Sequence, residues 1–367
     1  MLAPLLQATM RELLPSELAD REAFGLRLQE IYGAEVAADV LNHMRRRTHR
    51  CFWLNPLRPS SLQGSELGGE PLAGLPTVFC VDINTPLPQH AAASAGQLYI
   101  QNPSSYFAVQ VLAPEADEQV LDLAAAPGGK TIAIAARMNN SGRVAAVEPI
   151  RGRFHRMQAN LSRCGVTNVQ FYMRDGRGVG RAVTDRFDRV LLDAPCSSES
   201  RMRWQDVKTY QHWSLRKVRE TQRKQKSLLR SAYAALKPGG VLLYCTCSFA
   251  PEENELVVEA LLRKTDAQLL PIENPPQHSV PGLTYWSGKT LSLELQHSLR
   301  ILPNGIWDGF YLARLIKPGV ECSNPLNFEG VGVRVKTCFA HPGIKPTHSV
   351  VMTKLTRPAV GSSLGGC

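Results

Sequence analysis

Between residues 119 and 264 short apolar runs alternate with longer stretches of helical spacing. The pattern predicts strands over 119–123, 143–147, 168–172, 187–193 and 240–246, and helices over 130–138, 151–164, 216–237 and 252–264. Strands alternating with helices build an open parallel sheet, in which ligands and reactive groups gather at the carboxyl ends of the strands. Two more strands, expected near 305–316 as an antiparallel edge pair, bring the sheet to seven. A helix is expected to start at Pro103 behind Asn102 and to bury Phe107, Val111 and Leu112. Upstream, apolar residues at helical spacing between Leu13 and Met44 predict two short helices, and 59–97 reads as loops around short strands such as 77–83. The domains expected are therefore 1–98, 99–317 and a short extension, 318–367, with a strand-like run at 331–336 and a Ser-Gly-rich tail at 361–367.

The most informative stretch is Val120-Leu-Asp-Leu-Ala-Ala-Ala-Pro-Gly-Gly-Lys-Thr131, a strand that stops at a glycine turn before a helix. Gly128 and Gly129 let backbone approach a nucleotide-like ligand with no Cβ between them. The spacing is neither G-x-x-x-x-G-K-[ST] nor G-x-G-x-x-G, so a phosphate loop and a dinucleotide fingerprint both fail. A nucleoside with a cationic sulfur, such as S-adenosylmethionine, needs no phosphate nest.

Composition narrows the partners. A formal net charge of +10 favours polyanions, and no apolar run approaches the ~20 residues that span a bilayer. The apolar start, 1–14, lacks a preceding basic region, which fits neither a secretory signal nor an Arg-rich transit peptide. Nine scattered cysteines do not look like a disulfide framework, and the expected compartment is a reducing cytosol. Five arginines, Arg45, Arg46, Arg47, Arg50 and Arg58, flank Phe52 and Trp53. They read either as a phosphate- and base-binding segment or as a solvated helix end followed by a core strand. Between 201 and 237 stand 11 Lys or Arg against Asp206 and Glu220, interleaved with Trp204, Tyr210, His212 and Trp213. That stretch, including Arg201, Arg203, Arg219 and Arg223, is a candidate groove for unpaired nucleic-acid bases.

Each strand end carries a candidate. Glu148 follows the second strand, where an acid can accept ribose hydroxyls, and Asp175 follows the third, as an adenine contact or a plain Asp-Gly turn. The fourth ends in Leu191-Leu-Asp-Ala-Pro-Cys-Ser197 and the fifth in Leu243-Tyr-Cys-Thr-Cys-Ser248, so thiols from neighbouring strands can face one pocket. Cys245 and Cys247 share a face if the strand continues. A zinc site lacks its usual C-x₂₋₄-C pairs; Cys164 and Cys338 read as inert, whereas Cys196 and Cys247 point to chemistry.

Taken together, Ala124-Ala-Ala-Pro-Gly-Gly-Lys-Thr131, Asp193-Ala-Pro-Cys196 and Thr246-Cys-Ser248 followed by Pro251-Glu-Glu-Asn-Glu255 resemble the RNA cytosine-5 methyltransferases of the NSUN/RsmF type. The similarity covers 97–316 and is greatest to the bacterial RsmF branch, through Ala136-Arg-Met-Asn-Asn140, Ala159-Asn-Leu-Ser-Arg-Cys-Gly165 and Thr221-Gln222. The resemblance implies a Rossmann-like class I S-adenosylmethionine-dependent sheet with an N-terminal α+β RNA-binding domain. It implies Cys247 as the nucleophile at cytosine C6, Cys196 as the thiol that assists release, Asp193 on the N3 and N4 edge, and Lys130 as a charge beside them. By position, Ala124, Ala125, Ala126, Pro127, Gly128, Gly129, Lys130, Glu148, Asp175 and Asp193 would hold the cofactor. The expected partner is RNA, most directly small-subunit ribosomal RNA, met by a cytoplasmic monomer without metal or membrane. Transfer RNA methylation and a non-catalytic RNA assembly factor are the alternatives. One departure stands out: relatives usually carry a Ser-Gly-Glu-Gly loop after the first cysteine, and here Ser197-Ser-Glu-Ser-Arg201 lacks both glycines.

Overall fold

The computed structural model describes residues 15–319 apart from 46, 204, 205 and 212, so the run at 331–336 and the tail at 361–367 lie outside the described residues. Helices α1 (Pro15–Tyr32) and α2 (Ala34–His43) meet at Gly33, whose φ of 80° turns the chain back. Their apolar spacing buries Phe24, Leu28, Val40 and Met44 against Tyr210, Trp213 and Phe249. Strands β1 (His49–Leu54), β2 (Glu70–Leu72) and β3 (Leu75–Asp82), the single turn α3 (Ala91–Ser94) and strand β4 (Leu98–Ile100) follow. The strands pair antiparallel in the order β2-β3-β1-β4.

Strand alternation decides the fate of the aromatics expected to stack on RNA. In β1, Phe52 packs with Val81, Leu87 and Leu98, while Trp53 joins Phe107 in the main core. Both rings are thus core residues, and the reading of a basic helix end followed by a core strand is the one that holds for them. Cys51 stands directly opposite Cys80 and the two are bridged. A strand register closed over 29 residues is invisible in cysteine spacing, which is why the sequence disclosed no bridge.

The second sheet is built from α4 (Pro103–Leu112), β5 (Gln119–Asp122), α5 (Gly129–Arg137), β6 (Arg143–Val147), α6 (Arg151–Arg163), β7 (Val169–Tyr172), α7 (Val179–Ala182), β8 (Phe187–Asp193), α8 (Leu215–Ala235), β9 (Leu236–Thr246) and α9 (Glu255–Leu262). Six short strands complete it or flank it: β10 (Gln268–Leu270), β11 (Ser279–Pro281), β12 (Tyr285–Trp286), β13 (Lys289–Thr290), β14 (Leu299–Ile301) and β15 (Phe310–Ile316). The order is β11-β14-β15-β9-β8-β5-β6-β7, with β10 on β15. Strands β5 to β9 run parallel to their neighbours, and β15 returns antiparallel to β9.

The sheet therefore has nine strands rather than seven. The edge pair is also displaced, because Pro303, Gly305 and Gly309 fill the expected first strand with turn residues and the partner of β15 is β14. Strands of three residues carry too few side chains to register as alternation.

Asn102 accepts from the Ser104 amide at 2.9 Å, and Pro103 takes the first helical position, the start expected for α4. Asn55, itself buried, ties the first sheet to the second by donating to Gly96 O at 2.7 Å and to Cys164 O at 2.8 Å. Among the described residues no helix is long and apolar enough to cross a membrane.

Candidate active site

The carboxyl end of β5 opens into a tight turn. Gly128 has φ 104°, and a Cβ there would stand 2.4 Å from Leu161 Cδ1, so only glycine fits. Around the turn lies a cavity of about 340 Å³, lined in part by Ala124, Ala125, Ala126, Pro127, Gly129 and Lys130. A Cβ at Gly129 would meet Tyr99 at 3.1 Å and Gln101 Nε2 at 3.2 Å, so both side chains would have to give way. Asp122, also in the lining, accepts from the Thr131 hydroxyl on Oδ2 at 2.7 Å, while its buried Oδ1 has no side-chain partner. Burial, with the nearby Asp193 charge, pushes its carboxyl up to about 7 despite the Thr131 bond. A buried acceptor facing a glycine-lined cavity suits the ammonium of a methionyl group. Asp122 is readable from the sequence as a carboxylate inside an apolar strand, which is itself a signal.

The parallel register of β8 and β9 sets Asp193 beside Cys245. Just past these strand ends Cys196 Sγ lies 3.3 Å from Cys247 Sγ. Lys130 Nζ donates to Asp193 Oδ2 at 2.6 Å and to Ser105 Oγ at 3.3 Å, and Cys245 Sγ lies 3.7 Å from Asp193 Oδ1. Burial works against the lysine charge, but the Asp193 carboxylate and its hydrogen bond outweigh it and raise the Lys130 pKa.

The two thiols are driven apart. Cys196, hydrogen-bonded to its neighbour and half-buried, is pushed well up. Cys247 is pulled down to about 7: the Cys196 bond favours its anion, burial opposes it, and the Arg201 charge adds to the pull. Arg201, a candidate RNA contact in the sequence, thus lines the same cavity as Lys130 and Asp193, and the cation acting on Cys247 is Arg201 while Lys130 is engaged by Asp193.

The Pro251-Glu-Glu-Asn-Glu255 motif braces this corner. Glu253 accepts from the Ser197 amide at 3.0 Å, and burial pushes its carboxyl up to about 8. Asn254 accepts from Thr246 at 2.6 Å and donates to Ser248 O at 2.9 Å. From the other side Glu199 accepts from the Phe249 and Ala250 amides, each at 2.8 Å, and from Trp213 Nε1 at 2.8 Å. Sequence pattern assigns no role to Glu199 or Glu253, since two carboxylates buried by loop packing leave no periodic trace.

Other expected contacts stand apart. Glu148 is 1% exposed and accepts from the Ile150 amide at 2.9 Å; Asp175 is held by Arg177 and borders a separate groove of about 420 Å³. Neither lines the cavity at the glycine turn. Arg47 pairs with Asp308, Arg203 reaches Asp308 at 3.4 Å, and Arg50 donates to Thr85 O at 2.7 Å. Arg47 and Arg50 line a recess that adjoins the cavity through Gln101 and Asn102, and Arg45 is half-buried nearby in sequence. Arg46, Trp204 and His212 lie outside the described residues. Tyr210 and Trp213 are buried in the α1–α2 core, so they are not the base-stacking platform expected. Arg219 and Arg223 are exposed on α8, whose inner face buries Val218, Leu229 and Ala232. Among the described residues no His, Cys, Asp and Glu cluster could hold a metal ion.

Residues 109–316, which contain every one of these strand ends, match the family described as 16S rRNA methyltransferase RsmB/F. The chain belongs to this family. The RsmB/F member is 42% identical over 226 residues to the tRNA (cytosine(49)-C(5))-methyltransferase of Pyrococcus abyssi, covering 61% of this chain and 72% of that one. It is 41% identical over 239 residues to ribosomal RNA small subunit methyltransferase F of Escherichia coli, covering 63% of this chain and 47% of that one. The chain therefore spans about half the length of the bacterial relatives it matches. The solved methyltransferase homolog protein from Pyrococcus horikoshii superposes with a TM-score of 0.70 at 31% identity, over 83% of this chain and 100% of that one. The sheet of the RsmB/F member is accordingly a class I methyltransferase sheet, extended by short antiparallel strands at one edge.

Proposed function

We propose that this chain is an S-adenosylmethionine-dependent RNA cytosine-5 methyltransferase. The observation that carries the proposal is the contact of Cys196 and Cys247, 3.3 Å apart, beside the Lys130–Asp193 pair and the glycine-lined cavity. Cytosine C5 is too electron-poor to take a methyl group unaided. The Cys247 thiolate adds at C6, forming a C–S bond and an enamine whose C5 is nucleophilic. Asp193, steadied by Lys130, faces the N3 and N4 edge and favours the ring proton that addition requires. S-adenosylmethionine supplies the electrophilic methyl, and Ala124 to Lys130 with Asp122 would hold it. Water takes the C5 proton as the C6–S bond breaks and Cys247 leaves as thiolate, restoring the ring, with Cys196 assisting release.

The N-terminal lobe, 1–98, and the exposed basic face of α8, with Arg216, Arg219, Arg223 and Arg230, would guide RNA to the cavity. The target base leaves its stack to reach both thiols. Small-subunit ribosomal RNA is the substrate we favour, on the family description. The better length match to an enzyme named for transfer RNA supports that second substrate.

Bisulfite sequencing of total RNA with and without the protein decides between them. A protected cytosine that appears only with the active chain, in one RNA class, names the substrate; no responsive cytosine in any RNA sinks the proposal. The rate of a single turnover should also rise with pH through about 7 and then level, because the reactive form of Cys247 is the deprotonated one. A flat profile between about pH 6 and 8 would contradict the thiolate as attacking group.

A further inference from the structure

The turn after Cys196 carries a side chain that its backbone disfavours. Ser198 has φ 60° and ψ 32°, the left-handed region where glycine is at ease. It occupies the place of the first glycine in the loop of similar enzymes. A side chain kept in such a conformation points to a local task when its neighbours fix it there. They do: Ser200 N donates to Cys247 O at 3.1 Å, Arg201 N donates to Ser198 O at 2.9 Å, and Glu199 is locked by the Phe249 and Ala250 amides. The turn is docked on the backbone of Cys247 itself.

From that position Ser198 Oγ lies 4.0 Å from Cys196 Sγ, beside the sulfur pair. Ser200, in the place of the second glycine, has a buried hydroxyl without a partner among the described residues, and nothing in the structure explains it. Ser198 differs in having sulfur within reach. We propose that Ser198 is a positioning residue whose hydroxyl donates to the Cys196–Cys247 sulfur pair and holds negative charge on Cys247 before any base arrives. The inference rests on Cys247 being the nucleophile.

The other groups facing the pair do not make this donor redundant. Arg201 favours the Cys247 anion, Asp193 opposes it, and Cys196 faces Glu253 and Asp193 as well as its partner thiol. The Ser198 hydroxyl acts on Cys247 in the same anion-favouring direction as the Cys196 bond and the Arg201 charge, and is the smallest of the three.

The test is alkylation of the full chain by iodoacetamide, without RNA, over a pH series, with labelling at Cys247 and Cys196 read on separate peptides by mass spectrometry. Ser198→Gly relaxes the backbone and removes the hydroxyl; Ser198→Ala removes the hydroxyl alone. Both should move the Cys247 midpoint upward, so that the thiolate fraction at pH 7 falls about threefold. Ser198→Asn, which tolerates the left-handed region and keeps a donor, should retain most of the native midpoint. Wild-type midpoints in both Ser198→Gly and Ser198→Ala overturn the proposal, as does a change in plateau rate alone. Trapping of a covalent RNA adduct by Cys196→Ala is followed in parallel. An adduct with unmoved midpoints rejects the role of Ser198 and keeps that of Cys247. Moved midpoints with no adduct on any RNA keep Ser198 as a thiol donor and reject Cys247 as the nucleophile.

Discussion

Replacement of Cys247 by alanine is expected to lower methyl transfer by about four orders of magnitude or more, the scale on which a covalent nucleophile is missed. Cys196→Ala should behave differently: addition slows because the bond that favours the Cys247 anion is lost, but the nucleophile itself remains and transfer still proceeds. The variant should complete one transfer and then stall as an RNA–protein adduct, stable to denaturation and carrying the methyl group. The geometry sets this division of labour: the two sulfurs touch at 3.3 Å, Cys247 is drawn down to about 7 and Cys196 is pushed up, so one is the anion and the other the proton donor. Radiolabelled methyl transfer followed by denaturing gel electrophoresis reads both outcomes. An adduct from Cys247→Ala and none from Cys196→Ala would reverse the assignments. Asp193→Asn keeps the size of the side chain but removes the charge that engages Lys130. It should therefore lower transfer without abolishing labelling of Cys247 by iodoacetamide, separating support of the base from readiness of the thiol.

The parts of this site that the sequence disclosed are those set by strand ends. Residues 120–131, 193–196 and 246–248 lie where parallel strands stop, and parallel register brings such ends together regardless of what fills the connections. What stayed hidden was set by packing across long separations. Trp213 reads as an exposed aromatic in a basic stretch, yet it is 8% exposed beneath α1 and donates to Glu199. Arg201 looks like its basic neighbours until its loop is folded over the thiols, where its charge meets sulfur. Phe52 and Trp53 follow the same rule: one sheet with both faces covered buries consecutive residues, so alternation vanishes from the sequence. Asp175 follows its strand as the spacing predicts and pairs with Arg177 across an exposed turn.

Arg300→Met is expected to destabilise the chain by about 3–5 kcal/mol, because it leaves a buried carboxylate without its cation. Glu255 and Arg300 have side chains 0% and 2% exposed, and Arg300 Nε donates to Glu255 Oε1 at 2.6 Å. The pair joins four segments: α9 through Glu255, β14 through Arg300, α1 through the Tyr32 hydroxyl at 2.8 Å, and the Phe249 carbonyl at 2.9 Å. Glu255 also accepts from the Leu283 amide at 3.1 Å. Removing one member exposes the desolvation penalty that the other now bears alone. Removing both, in Arg300→Met with Glu255→Leu, should restore a good part of the loss, since an apolar pair of similar volume carries no such penalty. Urea unfolding reads the difference as a shift in midpoint at constant slope. Two single losses that simply add in the double variant would mean the pair contributes nothing as a pair. The variants also test how the fold supports the chemistry. Phe249 follows Ser248 and Cys247 directly, so a chain that loses the Arg300 bond to the Phe249 carbonyl should expose Cys247 to alkylation at urea concentrations below its main transition.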